Sequence, residues 1–210
     1  EYDIRGIWNE DITEEISYYI GRAYATKLLS LKKNKMIVGY DNRLSSPIIE
    51  KNLVKGLTDG GVDVVRLGLV TTPMYYYAWD KLNIHCGIMI TASHNPKEYN
   101  GFKMSYNGIH NCFGNEVAEL YYIILNGIYS KGNGSITDAN IKEDYIKMIN
   151  SHINMGSNKL KVIYDCGNGT TSIVAKDIFV SNDNIEYIPL FAESDGTFPN
   201  HHPDPAVESN

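Results

Sequence analysis

One stretch of the chain crowds reactive side chains together: Thr91-Ala92-Ser93-His94-Asn95-Pro96, followed by Tyr99-Asn100-Gly101-Phe102-Lys103. The apolar run Gly87-Ile88-Met89-Ile90 just before it reads as a buried strand. The Ser93 hydroxyl is therefore expected on a loop at a strand's end, beside an imidazole and a carboxamide, with a lysine ten residues on. A serine hydroxyl is a weak nucleophile unless a base or metal activates it. A phosphoserine is different: it is a ready phosphoryl donor carrying about −1.5 to −2 charges, and that charge must be neutralised during transfer. The pattern points to phosphoryl chemistry on Ser93. Its plain alternative is a loop serine that caps a turn.

The neighbours divide in the same way. His94 is either a proton relay or orienting group, or a loop imidazole bonded only to backbone. A Ser-His hydrolase pair is disfavoured, because adjacent residues rarely align a hydroxyl with the next residue's imidazole, and no G-x-S-x-G elbow is present. Asn95 suits loop shaping or phosphate orientation. Lys103, on a short strand, is either a solvated lysine or a general acid/base for a hydroxyl proton. Arg5 suits a two-pronged contact with phosphate, with Gly6 allowing close backbone approach; its plain reading is a surface pair with Asp3. Arg43, in Asp41-Asn42-Arg43, has a similar case or holds its loop. The turn Asp165-Cys166-Gly167-Asn168-Gly169 is not a P-loop, lacking a following Gly-Lys-Ser/Thr, and is read as a tight strand-to-helix turn. His201 and His202 are adjacent in an extended segment, so they point opposite ways and are not expected to share a metal.

Those side chains need a scaffold, and the chain alternates helical and strand signals, as layered α/β proteins do. Helices are expected over 13–33, 46–59, 74–82, 115–126, 141–153 and 170–179, and strands over 35–40, 62–67, 85–90, 101–105, 160–164 and 185–190. In the first helix Ile16, Ile20, Tyr24 and Leu28 form an apolar stripe, and Glu14 and Glu15 suit its positive end. Ser46-Pro47 and Thr72-Pro73 are cap-plus-proline starts. Gly60-Gly61 ends the second helix, and Asn107-Gly108 marks a turn. The expected fold is a layered mixed sheet flanked by helices: one complete domain over 1–156 and the beginning of a second, similar one over 157–210.

Composition narrows the partners. Of 210 residues, 43% are hydrophobic and 21% charged, ordinary values for a globular protein. A net charge of −6 argues against nucleic acid as a partner. No apolar run approaches the roughly 20 residues of a membrane helix. Cys86, Cys112 and Cys166 lack zinc or disulfide spacing, which favours a reducing cytoplasm.

Thr91 to Pro96 resembles the phosphoserine loop of the α-D-phosphohexomutases, in their phosphomannomutase/phosphoglucomutase branch. Three further segments agree in order: Tyr2-Asp3-Ile4-Arg5-Gly6, Gly39-Tyr40-Asp41-Asn42-Arg43-Leu44-Ser45-Ser46, and Asp195 through Pro205. The resemblance implies that phosphorylated Ser93 donates to a hexose monophosphate through a hexose bisphosphate. It implies that a phosphate oxygen on Ser93 ligates Mg²⁺, that Lys103 is the acid/base, and that Tyr2 and Arg5 line the cleft, with Asn95 and Arg43 as further substrate contacts. The family's Asp-Gly-Asp-x-Asp-Arg metal loop is not found in these residues. A complete enzyme needs on the order of 450 residues, so the chain is expected to be an N-terminal part, inactive alone, with the remaining ligands and domains beyond Asn210. Phosphoglucosamine mutase, phosphopentomutase and a catalytically dead homologue are the alternatives.

Overall fold

The computed structural model describes residues 4–108, 110–154 and 156–210; Tyr2, expected in the cleft, lies outside them. Six strands form the main sheet: β1 (Ile4–Ile7), β2 (Lys35–Tyr40), β3 (Asp63–Leu69), β4 (Gly87–Ile90), β5 (Tyr99–Ser105) and β6 (Ile136–Asp138). Their order is β1-β5-β4-β2-β3-β6. β4, β2, β3 and β6 run parallel, and β5 is antiparallel to both β4 and β1. A smaller parallel pair, β7 (Leu160–Asp165) and β8 (Ile185–Leu190), forms a second sheet. The mixed α/β architecture with a second, smaller α/β unit is therefore the one expected.

The helices are α1 (Glu14–Ser30), α2 (Ser46–Asp59), α3 (Thr72–Leu82), α4 (Asn115–Leu125), α5 (Lys142–His152) and α6 (Ser172–Phe179). Each face of the main sheet has its own core. One joins Tyr24, Leu28, Leu53 and Leu57 to Val38, Ile88 and Phe102, under α1, α2 and α4. The other joins Tyr75, Trp79 and Tyr145 to Ile37, Leu67 and Met89, under α3 and α5. The alternation of side chains along each strand feeds both.

Local detail differs from the sequence reading in instructive ways. Thr13 caps α1, its hydroxyl accepting from Ile16 N at 3.1 Å. Ile16 is 39% exposed, because Ser17, Ile20, Gly21, Tyr24 and Leu28 take the inward face. Thr71, not Thr72, caps α3. Ser45 holds the cap position of α2, and Ser46 lies inside the helix, its hydroxyl donating to Asp41. In both places the proline sits at the second helical position rather than the first, which is equally free of an intrahelical N–H requirement. β6 was not anticipated: three exposed residues pair with the edge of β3, and no apolar alternation announces such a strand.

The chain passes from β2 through α2 to β3 on one side, then through α3 to β4 on the other side of β2. α2 and α3 cover opposite faces. The carboxyl ends of β2 and β4 therefore flank a topological switch point, where open α/β sheets form their crevice. The Asp41–Arg43 loop leaves one strand there and the Ser93 loop leaves the other.

Candidate functional site

Ser93 follows β4 in a left-handed conformation, φ +57°. Its N–H donates to Thr91 Oγ1 at 2.9 Å, and Asn95 N–H donates to Ala92 O at 3.1 Å. The loop thus supplies its own backbone partners and leaves the Ser93 side chain exposed. The left-handed turn has a second effect. It brings consecutive side chains together, so Ser93 Oγ stands 3.3 Å from His94 Nδ1. Adjacent residues rarely pair in this way, and in this loop the two side chains come within hydrogen-bond reach.

Arg43 holds the loop from behind. Its side chain is fully buried, and all five N–H donors are used. Nε donates to Asp41 Oδ2 at 3.2 Å. Nη1 donates to the carbonyls of Pro96 and Tyr99 at 2.6 and 3.0 Å, and Nη2 to those of Ser93 and Asn95 at 3.1 and 2.7 Å. Burial pushes the guanidinium's pKa down, and Asp41 opposes that shift. In this arrangement no Arg43 N–H is left over for a substrate; the side chain ties together the carbonyls of Ser93, Asn95, Pro96 and Tyr99.

Asn100 was missed as an organiser. It is fully buried, donates to Ser45 Oγ at 2.7 Å and Ser46 Oγ at 3.0 Å, and accepts from Gly101 N. Ser46 in turn donates to Asp41 Oδ1 at 2.8 Å, and the same oxygen accepts Arg43 N. One buried polar chain therefore runs from β5 to the start of α2 and on to the serine loop. In the sequence its only signal is an asparagine directly before a glycine, Asn100-Gly101.

Gly101 opens a path for Arg5. A Cβ there would collide with Ile4 O and come within 2.9 Å of Thr91 O and 3.0 Å of Arg5 Cγ. Across that gap Arg5 Nη1 reaches Asn95 Oδ1 at 3.0 Å and Ala92 O at 3.5 Å. Ser93, His94, Asn95 and Arg5 are thus gathered at one loop. Lys103 is further back on β5. It is half-buried, directly opposite Met89 on β4, and so on the same sheet face. Its side chain makes no hydrogen bond or ion pair with a described residue.

Met89, Thr91, Ser93 and His94 line a cavity of about 590 Å³ whose far wall is Cys166, Gly167 and Thr170 of the second unit. The glycine turn, read above as purely structural, therefore faces Ser93 across the space. Asn42 joins the two sides: its N–H donates to Thr170 Oγ1 at 3.0 Å, and Nδ2 donates to Asn168 O at 2.7 Å. A cavity of this size lies in the range of small-ligand sites. His201 and His202 do not converge: His201 turns to Asp165, while His202 Nδ1 accepts Asp204 N.

The residues around Ser93 do not by themselves fit a resident divalent metal. Asp41, the carboxylate at the cavity, is committed to Arg43 and Ser46. The described residues contain no cluster of three or more His, Cys, Asp or Glu suited to an ion.

A doubly wound α/β/α unit, with an exposed serine at its switch point and a second unit across the cleft, defines the class. The chain belongs to the phosphoglucomutase/phosphomannomutase family, matching its alpha/beta/alpha domain I over residues 1–127 and its alpha/beta/alpha domain II over residues 143–210. It is 43% identical over 210 residues to a protein of Pseudomonas syringae named phosphomannomutase/phosphoglucomutase, with 100% of this chain and 44% of that protein covered. It is 39% identical over 211 residues to a phosphoglucomutase of Neisseria meningitidis, covering 100% of this chain and 45% of that one. A solved family structure from Burkholderia thailandensis superposes with a TM-score of 0.91 at 35% identity, covering 98% of this chain and 46% of the other. The chain spans under half the length of the curated relatives it matches.

Proposed function

We propose that Ser93 is the phosphoryl carrier of an enzyme that interconverts hexose 6-phosphate and hexose 1-phosphate, with mannose, glucose or both as the sugar. The observation that carries this reading is the state of Ser93: exposed, in a left-handed turn at the end of β4, at the edge of a 590 Å³ cavity, with its loop carbonyls held by Arg43. The names of the relatives from Pseudomonas and Neisseria support the substrate class.

The transfer balances as follows. The P–O bond to Ser93 Oγ breaks as a sugar hydroxyl oxygen forms its own bond to the phosphorus, giving a hexose bisphosphate. The hydroxyl's proton passes to Lys103, and Ser93 Oγ is re-protonated when it leaves. His94 Nδ1, 3.3 Å from that oxygen, is placed to donate. The second half returns the sugar's other phosphoryl group to Ser93. Arg5 and Asn95 form the polar wall beside the moving group. Mg²⁺ bound through the Ser93 phosphate belongs to the proposal, with its remaining ligands outside the described residues, and no step here is derived through it.

The remaining readings are proposals of the same standing. Residues 1–156 and 157–210 are taken as the two units, with α5, packed on both α3 and α6, as the element on which that boundary turns. No helix among the described residues is long and apolar enough to cross a membrane. Three free, buried cysteines support a reducing cytoplasm.

The test is the full-length protein with and without Ser93→Ala, assayed on glucose 1-phosphate, mannose 1-phosphate and glucosamine 1-phosphate with a sugar-bisphosphate activator, and weighed intact. A phosphate's mass on the wild type alone and loss of turnover in the variant are expected. Retained turnover in Ser93→Ala would overturn the reading, and preference for the amino sugar would move the protein to the glucosamine branch.

A further inference from the structure

The segment running from Asp195 to Pro205, which reads as a proline-rich connector, forms part of the wall behind the serine loop. Gly196 is buried against the loop after β2: a Cβ there would collide with Asn42 O and come within 3.0 Å of Arg43 Cα. Asp195 sets the turn, its Oδ1 accepting from Thr197 N and Oγ1 at 2.8 and 2.7 Å. The Asp195 N–H donates to Asn168 O at 2.9 Å, the same carbonyl that accepts Asn42 Nδ2. Two residues past the glycine, the ring of Phe198 stands 5.5 Å from the guanidinium carbon of Arg43.

Phe198 pays for that position in backbone strain. Its φ is +49°, a region that bulky aromatic residues rarely enter and that persists only where the surroundings over-determine it. Here the Asp195 turn lies on one side of the ring and the Arg43 guanidinium on the other, with the cavity beyond. The guanidinium beneath it is the group whose four Nη donors hold the Ser93 loop and the start of β5.

We propose that Phe198 is a positioning residue for Ser93, acting through Arg43. The ring covers the face of the guanidinium and keeps water from competing for its donors, so the seating of the second unit sets the placement of the serine loop. The kinetic consequence rests on the reading of Ser93 as phosphoryl carrier. The structural consequence does not.

The experiment uses the full-length protein with Phe198→Ala, Phe198→Leu and Phe198→Tyr. Amide exchange is followed at Ser93 and Asn95, alongside kcat and KM on glucose 1-phosphate and mannose 1-phosphate. Phe198→Ala is expected to speed exchange at both amides by roughly tenfold and to lower kcat by roughly tenfold to a hundredfold with KM little changed, as misplacement of a reacting group by about 1 Å can do. Phe198→Tyr keeps the ring face and should restore both. Phe198→Leu keeps apolar bulk without that face and should restore neither fully. Exchange in Phe198→Ala equal to wild type, or full rescue by leucine, would overturn the proposal. If Phe198→Ala does not fold, the tyrosine–leucine comparison decides. If the wild type turns over no hexose phosphate, the carrier reading fails and the exchange rates alone judge this inference.

Discussion

Arg5 Nη1 donates to Asn95 Oδ1 over 3.0 Å, so an edge-strand arginine and a loop carboxamide far apart in the chain form one surface beside Ser93. The contact depends on Gly101, over which the Arg5 side chain passes. Because each residue holds the other, their effects should not add. In the full-length protein, Arg5→Ala and Asn95→Ala should each lower kcat/KM, and the double variant should fall short of the product of the two losses by a coupling of about 0.5–3 kcal/mol. Strict additivity would mean that the two act separately.

Arg43→Met should be the most destabilising single change near the site. It removes a buried charge that pairs with Asp41 and takes the side-chain donors away from the carbonyls of Ser93, Asn95 and Tyr99, while Pro96 O keeps only the Tyr99 N–H. Breaking such a buried pair costs about 3–5 kcal/mol. Denaturant titration reads this as a lower midpoint for the unit that carries the serine loop. Wild-type stability with altered KM would instead restore Arg43 as a substrate contact.

His201 should give stability a pH dependence. Its Nδ1 faces His202 O at 2.8 Å and its Nε2 faces Asp165 Oδ2 at 3.2 Å. Two acceptors are both satisfied only by the protonated ring. The His202 carbonyl raises the pKa most, partial burial opposes it, and Asp165 adds to the rise. The folded value therefore lies above the unfolded one of about 6.5. Its stabilisation is fully present below that unfolded value and is lost as pH rises through the folded value. Wild-type Tm should fall relative to His201→Gln between mildly acidic and mildly alkaline pH; parallel curves would remove His201 as the cause.

The three thiols should be inert in the folded protein. Cys86, Cys112 and Cys166 are free and buried. Burial pushes all three upward in pKa, Cys112 to about 12. The thiolate is the reacting species. A chromogenic disulfide reagent near pH 8 should therefore label the native protein slowly and label all three cysteines once it is unfolded. Rapid labelling of the native state would show that one thiol opens to solvent.

Much of the fold could be read before the structure. β2 falls on residues 35–40, and the helix breaker at Gly60-Gly61 ends α2 where expected. Those elements are written locally, in β-branched runs and in residues that cannot continue a helix. β6 could not be read, because its three exposed residues are ordered only by the edge they join. The caps shifted by one residue because Ser45-Ser46 and Thr71-Thr72 each offer two hydroxyls, and local chemistry does not choose between them.

The sequence by itself determined which groups could react: a serine after a buried strand, with a histidine, an asparagine and a lysine at short range. That follows from residue type and chain order, which need no third dimension. Only the tertiary structure decided what each group is for. Arg43 and Arg5 are the same residue type in similar loop and strand-edge settings, yet one is sealed behind the serine loop with every donor used and the other reaches over a glycine to the loop's open side. Asn100 and Phe198 act on Ser93 only through contacts made by distant segments. Burial and hydrogen-bond satisfaction are properties of the packed whole, and they separate a group that holds the site from one that can meet a substrate.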